Sequence, residues 1–156
     1  MSAKSMPWTL TIASDLRLLS LTRAFIEAFC QVAGLDERTA NAVVMATDEA
    51  TNNVMRHAHT GHPDALIQIQ CRLRPDGVEV QLTDEGGPFD LAAVPHLDPA
   101  ELRVGGRGVF LMRALMDELS CQPHGERGNT LRMVKHFCKA AATPTTADAP
   151  QRRRRD

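Results

Sequence analysis

Alternating apolar and polar residues open the chain, and apolar residues at helical spacing follow them. Residues 8–13 predict a short strand, and Ser14 is a suitable N-cap for an amphipathic helix that Gly34 ends. A second helix is predicted over residues 36–57, because a stripe of small apolar residues runs through it with few helix breakers. The first third of the chain is therefore expected to form one strand and two helices.

Alternation returns in the middle of the chain. Residues 65–74 and 78–82 alternate apolar with polar side chains around Pro-Asp-Gly at 75–77, which predicts a β-hairpin. The pattern is lost between Asp84 and Gly108, where glycines, prolines and scattered acids make a connection longer than usual. Such a connection is a candidate for a functional loop that covers a bound ligand.

A helix and a second hairpin are predicted in the last part of the chain. Residues 109–119 place their apolar side chains on one side of a helix. A strand near Cys121, a turn at 125–128 and a strand over 130–137 complete the expected hairpin. No internal repeat accompanies these elements.

Composition fits one globular domain, which we place at residues 8–138. The 156 residues are 43% hydrophobic and 24% charged, which is sufficient for a single core. Residues 139–156, rich in Ala, Thr, Pro and Arg, are expected to form a disordered tail. The net charge of -1 gives no general attraction to nucleic acid or membrane, so neither is expected as a direct partner. With no signal sequence and no apolar run of roughly 20 residues, the expected location is the cytoplasm.

The spacing of the cysteines and histidines matches no metal-binding or redox motif. The four cysteines lie far apart without a CxxC pair and are interpreted as reduced, mostly buried thiols. His57, His59 and His62 lie close together, but no cysteine or acid completes a tetrahedral zinc set, so solvent-exposed side chains at a helix end are preferred. The arginines at 152–155 lack interleaved aromatic residues, which disfavours nucleic-acid binding.

The second predicted helix carries a polar face on an otherwise apolar pattern. Glu49, Asn53 and His57 recur every four residues and would present a carboxylate, an amide and an imidazole one turn apart. A carboxylate can accept the proton of a hydroxyl group, and an amide oxygen suits Mg²⁺, which takes its other ligands from water and phosphate. Taken alone, the Glu–Asn pair is better explained as a solvated helix face.

Glycines accompany two further candidate ligand groups. Asp84 ends a hairpin strand two residues before Gly86, and a buried carboxylate there can accept a hydrogen bond from the amino group of adenine. The run 105–108 precedes a helix and offers backbone N–H groups to phosphates, with Arg103 and Arg107 as flanking cations. It is neither a Walker loop nor a dinucleotide fingerprint. A change of chain direction and a flexible hinge are the alternatives.

The last strand begins with Gly-Asn-Thr at 128–130. On a strand that faces the pocket, the hydroxyl of Thr130 is a candidate to support the Asp84 end of a ligand, and a plain hairpin turn is the alternative. The order of the segments is more specific than any one of them. An acid–amide helix, Asp-x-Gly, a long loop, a glycine turn into a helix and Gly-x-Thr follow one another along the chain.

In this order the segments resemble the motifs of the GHKL, or Bergerat-fold, ATPases, and most closely those of the anti-sigma serine kinases of the RsbW and SpoIIAB type. The resemblance covers about residues 8–137, with Thr51-Asn52 where Val-Thr is commoner. It implies an α+β fold: a two-layer sandwich with a mixed, mostly antiparallel sheet and helices packed on one face. The matching segments are 49–53 with 57–58, 84–90, 105–112, 115–118 and 128–130.

The resemblance implies a site for ATP and Mg²⁺. It assigns Asn53 to the metal, Asp84 to the adenine, and Glu49 to the general base that receives the proton of a serine hydroxyl. Arg103 is the first candidate to neutralise charge on the γ-phosphate, and Arg107 is the second. The other residues of the implied ATP site are His57, Gly86, Pro88, Phe89, Gly105, Gly106, Gly108, Val109 and Thr130.

The resemblance also implies a function in partner switching. The chain would be a protein serine/threonine kinase (EC 2.7.11.1 type) that phosphorylates a small STAS-domain anti-anti-sigma protein and so regulates transcription. A sigma factor is a further expected partner, and a homodimer is expected through the sheet and the first helix. The alternative is a non-catalytic module that sequesters a regulator in response to ATP. A histidine-kinase catalytic domain is less favoured, because no phosphoacceptor helices precede the domain.

Overall fold

The computed structural model describes residues 6–96 and 107–137, so the predicted tail at 139–156 lies outside the described residues. Among the described residues, no helix combines the length and apolarity that a bilayer span requires. The helices are α1 (Leu19–Val32), α2 (Glu37–Asn53) and α3 (Arg107–Leu115), and the strands are β1 (Trp8–Ala13), β2 (Leu66–Arg74), β3 (Gly77–Asp84), β4 (Glu118–Pro123) and β5 (Asn129–His136).

The strands form one five-stranded sheet in the order β1-β2-β3-β5-β4. The predicted α+β fold is confirmed, and each pairing among the described strands is antiparallel, so the parallel pair of a mixed sheet does not occur there. Strand β3 lies at the centre. Its last residue, Asp84, pairs with Asn129 at the start of β5. The last residue of the β2–β3 hairpin thus lies beside the first residue of β5.

The helices cover one face of the sheet, and the core lies between the two layers. Because side chains alternate along a strand, Val80, Leu82 and Asp84 point toward the helices, whereas Thr83 points to the opposite face. This alternation decides which side chains of β3 can reach the helices. Fully buried core residues include Ile26, Val43, Ala46, Ile67, Ile69, Val80, Leu82 and Met133.

The first helical segment begins differently from the prediction. Ser14 does not act as the N-cap, because its N–H continues the strand by donating to the carbonyl of Ala65 over 2.8 Å. Asp15 caps instead: its Oδ1 accepts from the N–H of Arg17 at 2.9 Å and starts a short 3-10 turn at Leu16–Leu18. Helix α1 follows directly from this turn.

Helix α3 is shorter than the predicted helix at 109–119. It ends at Leu115, and the N–H of Asp117 donates to the carbonyl of Val134 over 2.9 Å. The next residues form β4 and pair with β5, so sheet pairing replaces the last predicted helical turn. The apolar pattern of residues 115–119 was compatible with either structure, and the partner strand decided between them.

Helix α2 passes into a single π-helical turn at Val54–Ala58, where the sequence predicted α-helix. The N–H of His59 donates to the carbonyl of Val54 over 3.0 Å, which is the wider π spacing. The extra residue in this turn rotates the side chains of Val54–Ala58 relative to an α-helix. His57 is consequently exposed and His59 is buried.

The cysteines of the described residues are free thiols, and Cys30 and Cys71 are buried as predicted. Burial raises the pKa of Cys30 to about 11 and that of Cys71 to about 12, so both stay protonated near neutral pH. Cys121 is only partly buried, and Cys138 lies outside the described residues. The buried thiols of Cys30 and Cys71 fill space in the core.

Candidate functional site

Glu49 and Asn53 meet the first turn of α3 at Gly108. A Cβ atom placed on Gly108 would lie 2.8 Å from Nδ2 of Asn53, 3.1 Å from its Oδ1 and 3.2 Å from Oε2 of Glu49. Because glycine carries no side chain, the ends of the Asn53 and Glu49 side chains can lie directly against the start of α3. Residues from two distant predicted motifs are thus brought together.

The donor set at this junction suits phosphate chemistry. The start of α3 carries the partial positive charge and free N–H groups of a helix N-terminus, which favour an anion such as phosphate. Asn53 adds a neutral amide oxygen and Glu49 adds a carboxylate within contact distance of the same point. This set fits Mg²⁺, which takes few protein ligands and completes its shell with water and phosphate oxygens. Among residues 6–96 and 107–137, no cluster of three or more His, Cys, Asp or Glu residues could hold a metal by itself.

Asp84 is buried at the end of β3, with 6% of its surface exposed. Its Oδ1 accepts hydrogen bonds from the N–H of Gly86 at 2.7 Å and from Nδ2 of Asn129 at 3.2 Å. Both bonds from the described residues reach the same oxygen, which leaves Oδ2 as the acceptor for an incoming donor. The amino group of adenine is such a donor.

Gly86 lets the chain after Asp84 pass close to the π-helical turn. A Cβ on Gly86 would lie 2.5 Å from Cβ of Ala58 and 2.9 Å from Oδ1 of Asp84, so no side chain fits there. The π-helical turn and the loop therefore pack against each other at a glycine. This contact holds the loop after Asp84 next to the end of α2.

Asn129 is a residue of this site to which the sequence analysis gave no role, although it belongs to the Gly-Asn-Thr segment at 128–130. Its Oδ1 accepts from the N–H of Phe89 at 2.8 Å, and its Nδ2 donates to the carbonyl of Gly87 at 2.8 Å and to Asp84. The side chain is buried, and it ties the loop at 84–89 to strand β5. The Gly-Asn-Thr segment indicated this region, and the register of the strand pair decides that Asn129, not Thr130, lies beside Asp84.

Thr130 does not join Asp84, so the prediction that its hydroxyl faces the pocket is wrong. Its Oγ1 lies 3.1 Å from Oγ1 of Thr83 and 3.0 Å from Nε2 of His124. Thr83 and Thr130 are cross-strand partners on the sheet face opposite Asp84. Asn129, one residue earlier, takes the position beside Asp84.

Arg113 was also missed by the sequence interpretation, and it holds the loop after Asp90. Its guanidinium donates to the carbonyls of Leu91 at 2.9 Å, Val94 at 3.0 Å and Pro95 at 3.1 Å. These bonds tie the loop to α3, the helix whose first turn lies beside Glu49 and Asn53. Its place in a helical pattern gave no signal for this contact.

The remaining predicted residues lie at the rim of the site or outside the described residues. Phe89 is 38% exposed, and Pro88 and Arg107 are also exposed. Val109 follows Gly108 in α3 and is partly buried. The predictions for Arg103, Gly105 and Gly106 fall in residues 97–106, which are not among the described residues.

His59 is buried behind Asp84, contrary to the prediction of exposed histidines, whereas His57 and His62 are exposed. Its Nε2 accepts from the N–H of Glu85 at 3.3 Å and lies 4.0 Å from Oδ1 of Asp84. Its Nδ1 is buried without a partner among the described residues. Burial lowers the pKa of His59, although the charges of Asp84 and Glu85 act in the opposite direction.

We expect His59 to make the fold less stable in acid. The folded pKa lies below the ordinary value of 6.5, so the unfolded chain binds the proton first. The free energy of unfolding should therefore be retained above about pH 6.5 and fall below it. In His59→Gln, urea unfolding between about pH 7.5 and pH 5 should show a smaller fall than in the wild type. The exposed His96→Gln control should keep the wild-type dependence, and equal slopes for His59→Gln and wild type would contradict the assignment.

Comparison with known proteins places the chain among ATPase domains. Residues 12–135 match the family model described as the histidine kinase-like ATPase domain. The serine-protein kinase RsbW of Listeria innocua is 28% identical over 137 residues, which cover 83% of this chain and 86% of the relative. RsbW of Staphylococcus epidermidis is 29% identical over 130 residues, covering 78% of this chain and 80% of the relative.

Two solved structures share the fold. The RsbU and RsbW domains of a Mycobacterium tuberculosis protein match with a TM-score of 0.65 and 20% identity, over 88% of this chain and 34% of that longer chain. The SiaB–SiaC complex of Pseudomonas aeruginosa contains a chain that matches with a TM-score of 0.64 and 19% identity, over 81% of this chain and 89% of that one. The two-layer arrangement described above is therefore one that RsbW-type domains adopt.

Proposed function

Because the chain belongs to the histidine kinase-like ATPase domain family, we propose that it is an ATP-dependent protein-serine kinase of a partner-switching system, with its domain at residues 8–138. The observation that carries this proposal is the convergence of Glu49 and Asn53 on Gly108 at the start of α3. A carboxylate, an amide oxygen and a helix N-terminus at one point are the groups that phosphoryl transfer uses. The relatives named serine-protein kinase RsbW support the same activity.

The nucleotide would lie between Asp84 and the start of α3. Oδ2 of Asp84 would accept a hydrogen bond from the adenine amino group, and N–H groups near Gly108 would hold the phosphates. Asn53 would ligate Mg²⁺, which when bound neutralises part of the phosphate charge. Arg103 and Arg107 are our first and second candidates for the charge of the γ-phosphate.

Glu49 would act as the general base toward the substrate serine. The serine oxygen forms a bond to the γ-phosphorus, the bond from that phosphorus to the bridging oxygen of ADP breaks, and the serine proton passes to the Glu49 carboxylate. Glu49 is only partly buried, which supports access by a serine from another protein. The products are ADP and a phosphoserine on the partner.

The partner we propose is a STAS-domain anti-anti-sigma protein, with a sigma factor as a further partner and the cytoplasm as the location. A homodimer through β1 and α1 is also proposed. Three apolar side chains on these two elements are exposed: Trp8 at 37%, Leu21 at 47% and Val32 at 71%. Their exposure supports a dimer in which a second copy covers this surface.

A pull-down from the native host, with and without ATP, followed by phosphosite mapping tests this function. We expect the wild-type chain to retain a STAS-domain protein that carries a phosphoserine only after incubation with ATP. A retained regulator with no ATP-dependent phosphoserine would instead favour the non-catalytic binding module.

A further inference from the structure

The guanidinium of Arg113, on helix α3, binds the loop after Asp90 at three backbone carbonyls. We infer that Arg113 is a positioning residue for the nucleotide: it holds α3 against this loop and thereby fixes the first turn of α3, where the phosphates are proposed to bind. This inference rests on the proposed function, because it concerns the same nucleotide. It adds a residue that acts through the backbone and not by touching ATP or the substrate serine.

The loop presents a group of acceptors that point to one place. A short 3-10 turn lies at Leu91–Ala93, and the carbonyls at the end of so short a turn find few partners within it. The carbonyls of Leu91, Val94 and Pro95 each accept a hydrogen bond from Arg113, at 2.9, 3.0 and 3.1 Å. One side chain thus satisfies three acceptors of the loop.

The shape of the guanidinium explains why arginine suits this position. Nη1 of Arg113 donates to the carbonyls of Val94 and Pro95, and Nη2 donates to those of Leu91 and Val94. A planar guanidinium holds its donors at fixed angles, whereas a lysine ammonium is a compact charge on a flexible stem. Lysine would therefore keep the charge at this position but not the full set of bonds.

Helix α3 depends on such contacts because it is short. Its nine residues are too few for an isolated helix to be stable in water. Its inner side packs on α2, with Gly108 beside Asn53 and with Met112 buried. Arg113 holds the side toward the loop. Without Arg113 the first turn of α3 would be fixed on one side only, and small displacements of groups that hold a substrate are costly.

Arg113→Met removes these bonds and keeps a long side chain. We expect its affinity for Mg-ATP, measured by titration calorimetry, to fall about tenfold, and the KM for ATP to rise while kcat holds. Arg113→Lys keeps the charge and should still lose at least about fivefold in affinity; it also serves if Arg113→Met does not fold. The control Arg38→Met removes an exposed arginine near the start of α2 and should bind Mg-ATP as the wild type does.

Chemical rescue separates positioning from a general loss of packing. A cavity of about 220 Å³ lies between the loop and α3, lined by Pro95, His96, Phe110, Arg113 and Ala114. A small cation can enter there in Arg113→Ala. Ethylguanidinium, below the concentration that unfolds the protein, should raise the affinity of this variant for Mg-ATP at least about threefold, and ethylammonium should not. No rescue, or equal rescue by both cations, would count against the inference.

The outcomes separate this inference from the proposed function. A wild type that transfers phosphate, with Arg113→Met binding Mg-ATP as tightly as Arg38→Met, would overturn the inference alone. Wild-type affinity in Arg113→Lys beside a loss in Arg113→Met would show that the charge acts and not the set of bonds, which also overturns it. A wild type that does not bind ATP would overturn the proposed function and the inference together.

Discussion

Glu49→Gln is expected to slow phosphoryl transfer severely while the protein still binds ATP. Glutamine keeps the size of the side chain and its place beside Gly108, where Oε2 of Glu49 lies 3.2 Å from the position that a Cβ atom would take. An amide cannot take the proton of the serine hydroxyl, so the loss falls on the chemical step. We expect the single-turnover rate to fall by about 10²–10⁴-fold, with the affinity for Mg-ATP within about threefold of wild type.

A matched control lies on the same helix. Glu37→Gln removes one carboxylate from the exposed first turn of α2, far along the helix from Glu49, and should keep the wild-type rate. If Glu49→Gln transferred phosphate at the rate of Glu37→Gln, Glu49 would not be the general base.

Gly108→Ala is expected to weaken ATP binding strongly with little loss of fold stability. The added methyl group would lie 2.8 Å from Nδ2 of Asn53, which is closer than packed atoms approach. The end of a polar side chain can move aside at small cost to the fold, but Asn53 then leaves the position proposed for the metal. We expect at least a tenfold loss of affinity, or about 1.4 kcal/mol, for Mg-ATP by calorimetry.

Gly87→Ala is the matched control for the glycine change. A Cβ at Gly87 meets no atom within 4 Å, and its backbone carbonyl remains available to Asn129. This variant should bind Mg-ATP as the wild type does. Equal affinities for Gly108→Ala and Gly87→Ala would show that the approach of α3 to Asn53 does not matter for the nucleotide.

Local patterns predicted most of the fold because its strands and helices follow the alternation and spacing of apolar residues. Strand β1 and the hairpin of β2 and β3 lie where that pattern placed them. The last turn of the predicted third helix became β4 because residues 118–119 pair with β5, a contact that local sequence does not contain. At residues 118–119, pairing with β5 is more favourable than a further helical turn.

The candidate site could be predicted only in part, because the direction of several side chains depends on structure beyond the local motif. Glu49, Asn53, Asp84 and Gly108 belong to local motifs, and the structure brings the first two to Gly108. Asn129 depends on hairpin register, which pairs it with Asp84 across the sheet. His59 and Thr130 were misplaced for similar reasons, since a π-helical turn and strand alternation decide where those side chains point.

The most direct test of the proposed kinase activity is to follow where the γ-phosphate of ATP is transferred. The purified chain, Mg²⁺ and ATP labelled at the γ-phosphate are mixed with the STAS-domain protein of the same cell, and the product is mapped by mass spectrometry. We predict label on one serine of that protein with wild type and far less with Glu49→Gln. A wild-type chain that binds ATP and its partner but leaves every serine unlabelled would contradict the kinase function.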